Sequence, residues 1–286
     1  MLSKGDIIVM KKFIALLMAA LLVLAFAGCA KDTTAGTEDA TDEAASGAAE
    51  ATEAASDLDY IKNKGTLVVG ITDYAPMDFK EEGSDEWTGF DAEFARAFAA
   101  DLGVEIEFIE IDWDNKFFEL EANKIDCIWN GMTITDEALL NTSVSNAYVK
   151  NAQVVVMAAD KVADYADAAS MAELNFAVES GSAGEDAAKE NNFTYTAVLT
   201  QADALMEVQA GTADACIIDI TMANAMTGEG TSYATRASCL ELTSEDNGVS
   251  FRKGSAVTAA LNQFMVDNKD AVLVALAEKY ELTLAF

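Results

Sequence analysis

From residue 66 onward, short runs of apolar and β-branched residues alternate with segments whose apolar positions recur every three to four residues. The pattern predicts a strand over 66–71. It then predicts a helix over 90–102, with Phe90, Phe94, Ala97, Phe98 and Leu102 on one stripe and Gly103 to end it. A strand over 104–109, a helix over 115–122 and a strand over 125–129 complete a βαβαβ order. A second series follows: strands over 153–158 and 176–178, a helix over 182–191, a strand over 195–199, a helix over 203–209 and a strand over 215–218. Alternation of this kind predicts an α/β chain with parallel sheets flanked by helices, and two series predict two lobes. Lys124-Ile125-Asp126-Cys127-Ile128 and Thr212-Ala213-Asp214-Ala215-Cys216 each open a strand after a helix, although chance produces matches this short equally well.

Before residue 58 the pattern is different. Lys11 and Lys12 precede an unbroken apolar run of 15 residues over 13–27, short for a bilayer span and suited to the core of a signal peptide. Met10 is the natural start of such a segment, which makes residues 1–9 an upstream extension. Ala27-Gly28-Cys29 resembles the lipobox of bacterial lipoproteins, which implies cleavage after residue 28 and acylation of Cys29. Residues 29–57 are nearly all Ala, Thr, Ser, Gly, Asp and Glu. Such a segment cannot bury enough apolar surface to offset its ordering entropy, and it reads as an acidic tether.

The remaining body has ample material for a packed core: 51% of the 286 residues are hydrophobic and only one is proline. With 18 Lys and Arg against 49 Asp and Glu, the net charge of -31 repels a phosphate backbone, so nucleic acid is excluded as a partner. The absence of histidine excludes an imidazole base and any His-ligated metal, and no cofactor or metal is expected. Three cysteines of the body, Cys127, Cys216 and Cys239, form an odd set without a CxxC pair and read as free thiols.

In open α/β sheets, ligands lie beyond the carboxyl ends of the parallel strands. Asp73 and Tyr74 follow the first strand, Trp113 the second, and Asn130, Gly131 and Thr133 the third. Core packing accounts for large aromatics such as Tyr74 and Trp113 at least as readily as ligand contact. In the second series, Ser182 and Ala183 open a helix, and Glu185 stands at capping-box spacing from Ser182. The free amides there attract an anion, while a plain helix cap is the alternative. Asp219 ends a strand, where its carboxylate can receive an ammonium group or cap the next helix.

These stretches resemble the solute-binding proteins of polar amino-acid ABC transporters, extracellular family 3. The resemblance is carried by Gly65-Thr66-Leu67-Val68-Val69-Gly70, Thr88-Gly89-Phe90-Asp91, Lys124-Ile125-Asp126, Gly131-Met132-Thr133-Ile134-Thr135 and Gly248-Val249-Ser250-Phe251-Arg252-Lys253-Gly254. It implies a two-lobed type II periplasmic-binding fold, with two parallel-type sheets joined by a hinge. Lobe 1 would comprise 58–149 and 240–286, and lobe 2 would comprise 150–239. The implied function is capture of a small polar solute, an amino acid, by a monomer anchored outside the cell membrane through Cys29, with delivery to an ABC permease.

Carried over by position, Tyr74 and Trp113 would pack on the ligand, and Asn130, Gly131 and Thr133 would hydrogen-bond it. Ser182 and Ala183 would meet its carboxylate and Asp219 its ammonium, with Asp73 a further contact if the preceding turn is one residue shorter. One departure stands out: the family places an arginine three residues after the position of Thr135, and this chain has Ala138. Backbone amides, with Lys80 or Lys116, would have to replace that planar fork, or the ligand is not an ordinary α-amino acid. A lipid-tethered sensor domain is an alternative role. So is a dehydratase of the cyclohexadienyl type, which the same fold supports and which would need a catalytic acid near Asp219 or Asp73.

Overall fold

The structure, a computed structural model, describes residues 56–286. The expected signal segment, Cys29 and all but the end of the acidic stretch lie outside the described residues. Ser56 accepts a hydrogen bond from the Asp59 amide and caps helix α1 (Asp57–Lys64). Ser56 and Asp57, read as the end of the tether, therefore belong to the folded body.

The chain continues through β1 (Thr66–Ile71), the short hairpin β2 (Phe79–Lys80) and β3 (Trp87–Thr88), α2 (Phe90–Leu102), β4 (Glu105–Glu110), α3 (Lys116–Glu121), β5 (Cys127–Ile128), α4 (Asp136–Asn141) and β6 (Thr142–Val144). It then passes along β7 (Val149–Asn151) into β8 (Gln153–Ala158), β9 (Asn175–Glu179), α5 (Ala183–Glu190), β10 (Thr194–Val198), α6 (Gln201–Ala210), β11 (Ala215–Asp219), α7 (Ile220–Met226) and β12 (Arg236–Glu241). The return runs through β13 (Glu245–Asn247), β14 (Ser250–Arg252), α8 (Val257–Asp267), a wide helical segment (Lys269–Val274) and α9 (Ala275–Lys279).

Two five-stranded sheets result, ordered β4-β1-β5-β14-β6 and β10-β9-β11-β8-β12. They are mixed, not purely parallel as the alternation predicts. In each, four strands share one direction and a single strand, β14 in the first and β8 in the second, runs against them. The reason is connectivity. β8 enters its sheet directly from β7 and β14 enters from β13, so no helical crossover turns either strand round. Leu240 and Glu241 still pair with Val155 and Val154 in the second sheet, so the chain leaves lobe 2 at β13, later than residue 240. The antiparallel β7–β13 ribbon joins the lobes, and the C-terminal tail lines it through Lys150 N–H to the Thr283 carbonyl (2.8 Å) and Ala285 N–H to the Tyr148 carbonyl (3.0 Å).

The stripe of α2 forms the centre of lobe 1. Phe90, Phe94 and Phe98 are fully buried, and Phe94 meets Trp129 edge-on with ring centroids 4.7 Å apart; Tyr148 and Phe264 close the cluster. Burial of each such ring contributes roughly 1.5–3 kcal/mol. Gly103 ends the helix with φ +74, a left-handed conformation that a side chain would strain. Lobe 2 packs Phe176 on Phe193, 4.4 Å between centroids, beneath Val155, Val178 and Ile217. Of the edge strands, β4 carries Glu105 and Glu107 and β10 carries Thr194 and Thr196 at exposed positions, which discourages edge pairing with other chains there.

A buried ion cluster ties the two ends of lobe 1 together. Asp126, with no exposed surface, accepts from Lys64 Nζ (2.5 Å), the Val68 amide (2.8 Å) and Arg252 Nη2 (3.0 Å), while Arg252 also reaches Asp57. Removing the central charge leaves a half-buried guanidinium and a buried amide without a partner. Asp126→Ala is therefore expected to lower unfolding free energy by about 3–5 kcal/mol, with Asp126→Asn intermediate. Chemical denaturation measures both, and a loss below about 1 kcal/mol in the alanine variant would show the cluster to be dispensable.

Candidate functional site

The cleft between the lobes is narrow: its cavity proper is about 40 Å³, within about 530 Å³ of empty space that includes the solvent at its mouth. Its walls come from the ends of β5, β9 and β11, from the starts of α3, α4, α5 and α6, and from Trp113 before α3. This is the crevice beyond the strand ends. Of the residues singled out in the sequence, Trp113, Asn130, Gly131, Thr133, Ser182, Ala183 and Asp219 line it.

Two do not. Asp73 is exposed and stands off the lining. Tyr74 is buried beneath the lining, not in it: a Cβ on Gly131 would lie 2.5 Å from its ring Cε1, and Gly131 itself has φ +54. Its hydroxyl hydrogen-bonds the Thr221 hydroxyl of the other lobe. Tyr74 thus supports the Asn130–Gly131 turn from below and ties the lobes together.

Several side chains in the lining are already committed. The Asn130 amide accepts from the Thr72 amide (3.0 Å) and hydroxyl (2.7 Å), and donates to the Thr72 carbonyl (3.1 Å) and Asp78 (2.8 Å). Gly131 N–H donates to Asp91 (2.6 Å), and the Thr133 hydroxyl donates to Glu245 (2.8 Å). Ser182 caps α5, accepting from Glu185 N–H (3.1 Å) and donating to the Glu179 carbonyl (2.7 Å). The expected capping box is altered, because the Glu185 carboxylate takes the Gly181 amide (2.8 Å). Ala183 is the first residue of α5, where intrahelical partners for N–H groups are lacking.

Asp219 begins α7 without capping it through its side chain. The carboxylate instead accepts from Asn151, from Gln153 Nε2 (2.8 Å) and from Gln201 Nε2, while its own N–H donates to Gln201 Oε1 (2.8 Å). Glu245 shares the Asn151 and Gln153 donors, each at 2.7 Å. Burial raises the Asp219 carboxyl to about 7, the Glu245 charge adds to this, and the amide donors oppose it.

Three further residues of the lining are as informative. Lys116 lines the cleft, buried over the rings of Trp113 and Phe117, and donates to the carbonyls of Gly181 (2.8 Å) and Trp113 (3.2 Å). It is the one cation of the lining; Lys80 lies outside, over Trp87. Burial lowers its ammonium below the ordinary value, opposed chiefly by Glu137 and Glu179. Ala138, in the position of the family arginine, is buried in the same wall. Glu179 also lines the cleft, 2% exposed; burial, then the Asp219 charge, pushes its carboxyl well above the ordinary value, against Lys116. Its place at a strand end, directly before Ser180-Gly181, is the signal that could have found it. Among the described residues the thiols of Cys127, Cys216 and Cys239 are free, the last partly exposed.

Behind the turn, Asp78 and Asp91 are both fully buried. Asp91 holds Gly131 and Tyr148, and burial raises it to about 7 against those two hydrogen bonds. A raised folded value means that protonation favours the folded chain, so this contribution is fully present below about 4 and is lost as pH rises through about 7. Asp91→Asn, neutral at every pH, is therefore expected to gain on the parent between pH 5 and 8 by on the order of 2 kcal/mol. Urea unfolding at the two pH values tests this, and a difference independent of pH would refute it.

The chain matches the family described as bacterial extracellular solute-binding proteins, family 3, over residues 67–283. It is 27% identical to the L-cystine-binding protein TcyJ of Escherichia coli strain K12, over 78% of this chain and 85% of that protein. It is 25% identical to the arginine-binding extracellular protein ArtP of Bacillus subtilis strain 168, over 91% and 94%. Among solved structures, it resembles the ancestral amino acid-binding protein AncCDT-1, a precursor of cyclohexadienyl dehydratase, with a TM-score of 0.71 and 31% identity over 78% of this chain and 98% of that one. An amino acid ABC transporter substrate-binding protein from Streptococcus pneumoniae, bound to L-arginine, gives 0.72 and 28% over 80% and 100%. The two mixed sheets, the crossing ribbon and the cleft are those of the two-lobed type II periplasmic-binding fold. This chain belongs to the bacterial extracellular solute-binding proteins, family 3.

Proposed function

We propose that this chain captures a small amino acid outside the cell membrane, closes on it about the β7–β13 ribbon, and delivers it to an ABC permease, without turning it over. The observation that carries this reading is the cleft itself: polar groups from both lobes converge on one small space, and contacts such as Tyr74–Thr221 and Lys116–Gly181 join its two walls. In the bound state the α5 amides near Ser182 and Ala183 and the Lys116 ammonium receive the carboxylate, taking over from the family arginine, and Trp113 covers the ligand. Thr133, Gly131 and the Asn130 backbone border it from lobe 1, and Asp219 from lobe 2. The relatives named for L-cystine and arginine support an amino acid as the solute.

The test combines calorimetry with scattering. L-arginine, L-histidine and L-cystine are titrated into the purified protein, and the radius of gyration is followed on saturation. At least one is expected to bind with micromolar or tighter affinity and to contract the molecule. Tight binding without contraction would refute hinge closure, and turnover of the bound compound would refute simple capture.

Anchoring is the second part of the proposal: the mature chain begins at an acylated Cys29 and is held at the membrane surface. Intact mass of the membrane-fraction protein is expected to match residues 29–286 plus lipid. A soluble, unmodified chain that retains residues 10–28 would refute it.

A further inference from the structure

Five charged side chains line the cleft: Lys116, Glu137, Glu179, Asp186 and Asp219. Glu137 and Asp186 are exposed at its mouth and are solvated. The other three are buried and have to be balanced within the site. Lys116 donates to two carbonyls, and Asp219 is surrounded by the amides of Asn151, Gln153 and Gln201. Glu179 differs: it is 2% exposed, and its Oε1 has no hydrogen-bond partner. Asp219, the acid that family resemblance would choose for a cation, has its acceptor positions largely filled by protein. Glu179 has its own free.

We infer that Glu179 is the cation-receiving carboxylate of this cleft and that the solute carries a net positive charge. The inference rests on the capture reading above and names the class of solute. Ionised, the two buried carboxylates outnumber the one buried ammonium by a single negative charge, and the carboxyls of Glu179 and Asp219, shifted upward by burial, reflect that missing positive partner. A zwitterion adds none and would leave that charge uncompensated. A solute with one positive charge in excess neutralises the site, and the exposed pair Glu137 and Asp186 favours its approach.

Three probes separate the possibilities in calorimetry on the full mature protein: L-arginine, its neutral isostere L-citrulline, and agmatine, which keeps the guanidinium but lacks the carboxylate. The parent is expected to bind L-arginine about ten- to a hundredfold more tightly than L-citrulline, the scale of one charged hydrogen bond. Glu179→Gln, with thermal melting to verify folding, should abolish most of that preference. Asp219→Asn should weaken both amino acids alike, because it disturbs the amide cluster that shapes the cleft.

Equal affinity of the parent for L-arginine and L-citrulline overturns the inference while leaving amino-acid capture intact, and this comparison needs no variant. So does a preference that survives in Glu179→Gln. Binding of agmatine alone, weakened by Glu179→Gln, upholds the inference and sinks the amino-acid reading. Binding of none of the three overturns the inference.

Discussion

The Asp219 carboxylate, taken out of water where β11 ends, has to be solvated by the protein itself. The donors that do so come from three elements: Asn151 at the end of the crossing strand β7, Gln153 at the start of β8, and Gln201 at the start of α6. Two of these also reach Glu245 on β13, which in turn receives Thr133 from lobe 1. One buried charge thus organises both crossing strands and a wall of each lobe. Half-satisfied, such a network would be costly; filled, it fixes a single arrangement of the groups around the cleft.

Behind this lies an unusual economy of charge. A chain at -31 keeps its two most buried cleft carboxylates beside a single lysine, which stacks on aromatic rings and lacks the planar fork of arginine. Lys116 can therefore supply charge at the carboxylate end of a ligand, but not two parallel hydrogen bonds. Backbone amides at α5 are the natural supplement. In the proposed binding mode, a helix end and a point charge in place of a side-chain fork would shift positional accuracy from a flexible side chain to the backbone.

Local patterning carried much of this fold. β1, α2 and β8 fall on the residues that apolar spacing indicates, because each has a buried face with a clear period and a defined end. β12, β13 and β14 escape the same reasoning, since each is set by its pairing with a distant strand, β8, β7 and β5 respectively, rather than by its own composition. At the cleft, positions after strand ends were legible but the direction of side chains was not. Tyr74 looked like a ligand platform and lies under Gly131; Asn130 looked like a donor and is spent on Thr72 and Asp78. Glu179 stands at the end of β9, where a single acid after an apolar run reads as an outward-facing residue.

Lobe 2 is one continuous stretch of chain, whereas the sheet of lobe 1 lacks β14 until residues after the second lobe have been made. The crossing ribbon is more demanding still, for its lining by Thr283 and Ala285 draws on the last four residues. Contacts this distant in sequence are the slow ones to close. During export the second lobe can condense alone, while the first must wait, open-edged, for its C-terminus. A protein emerging amino-terminus first from a membrane pore would then complete its hinge last, and the solute cleft would not exist until the whole chain had crossed.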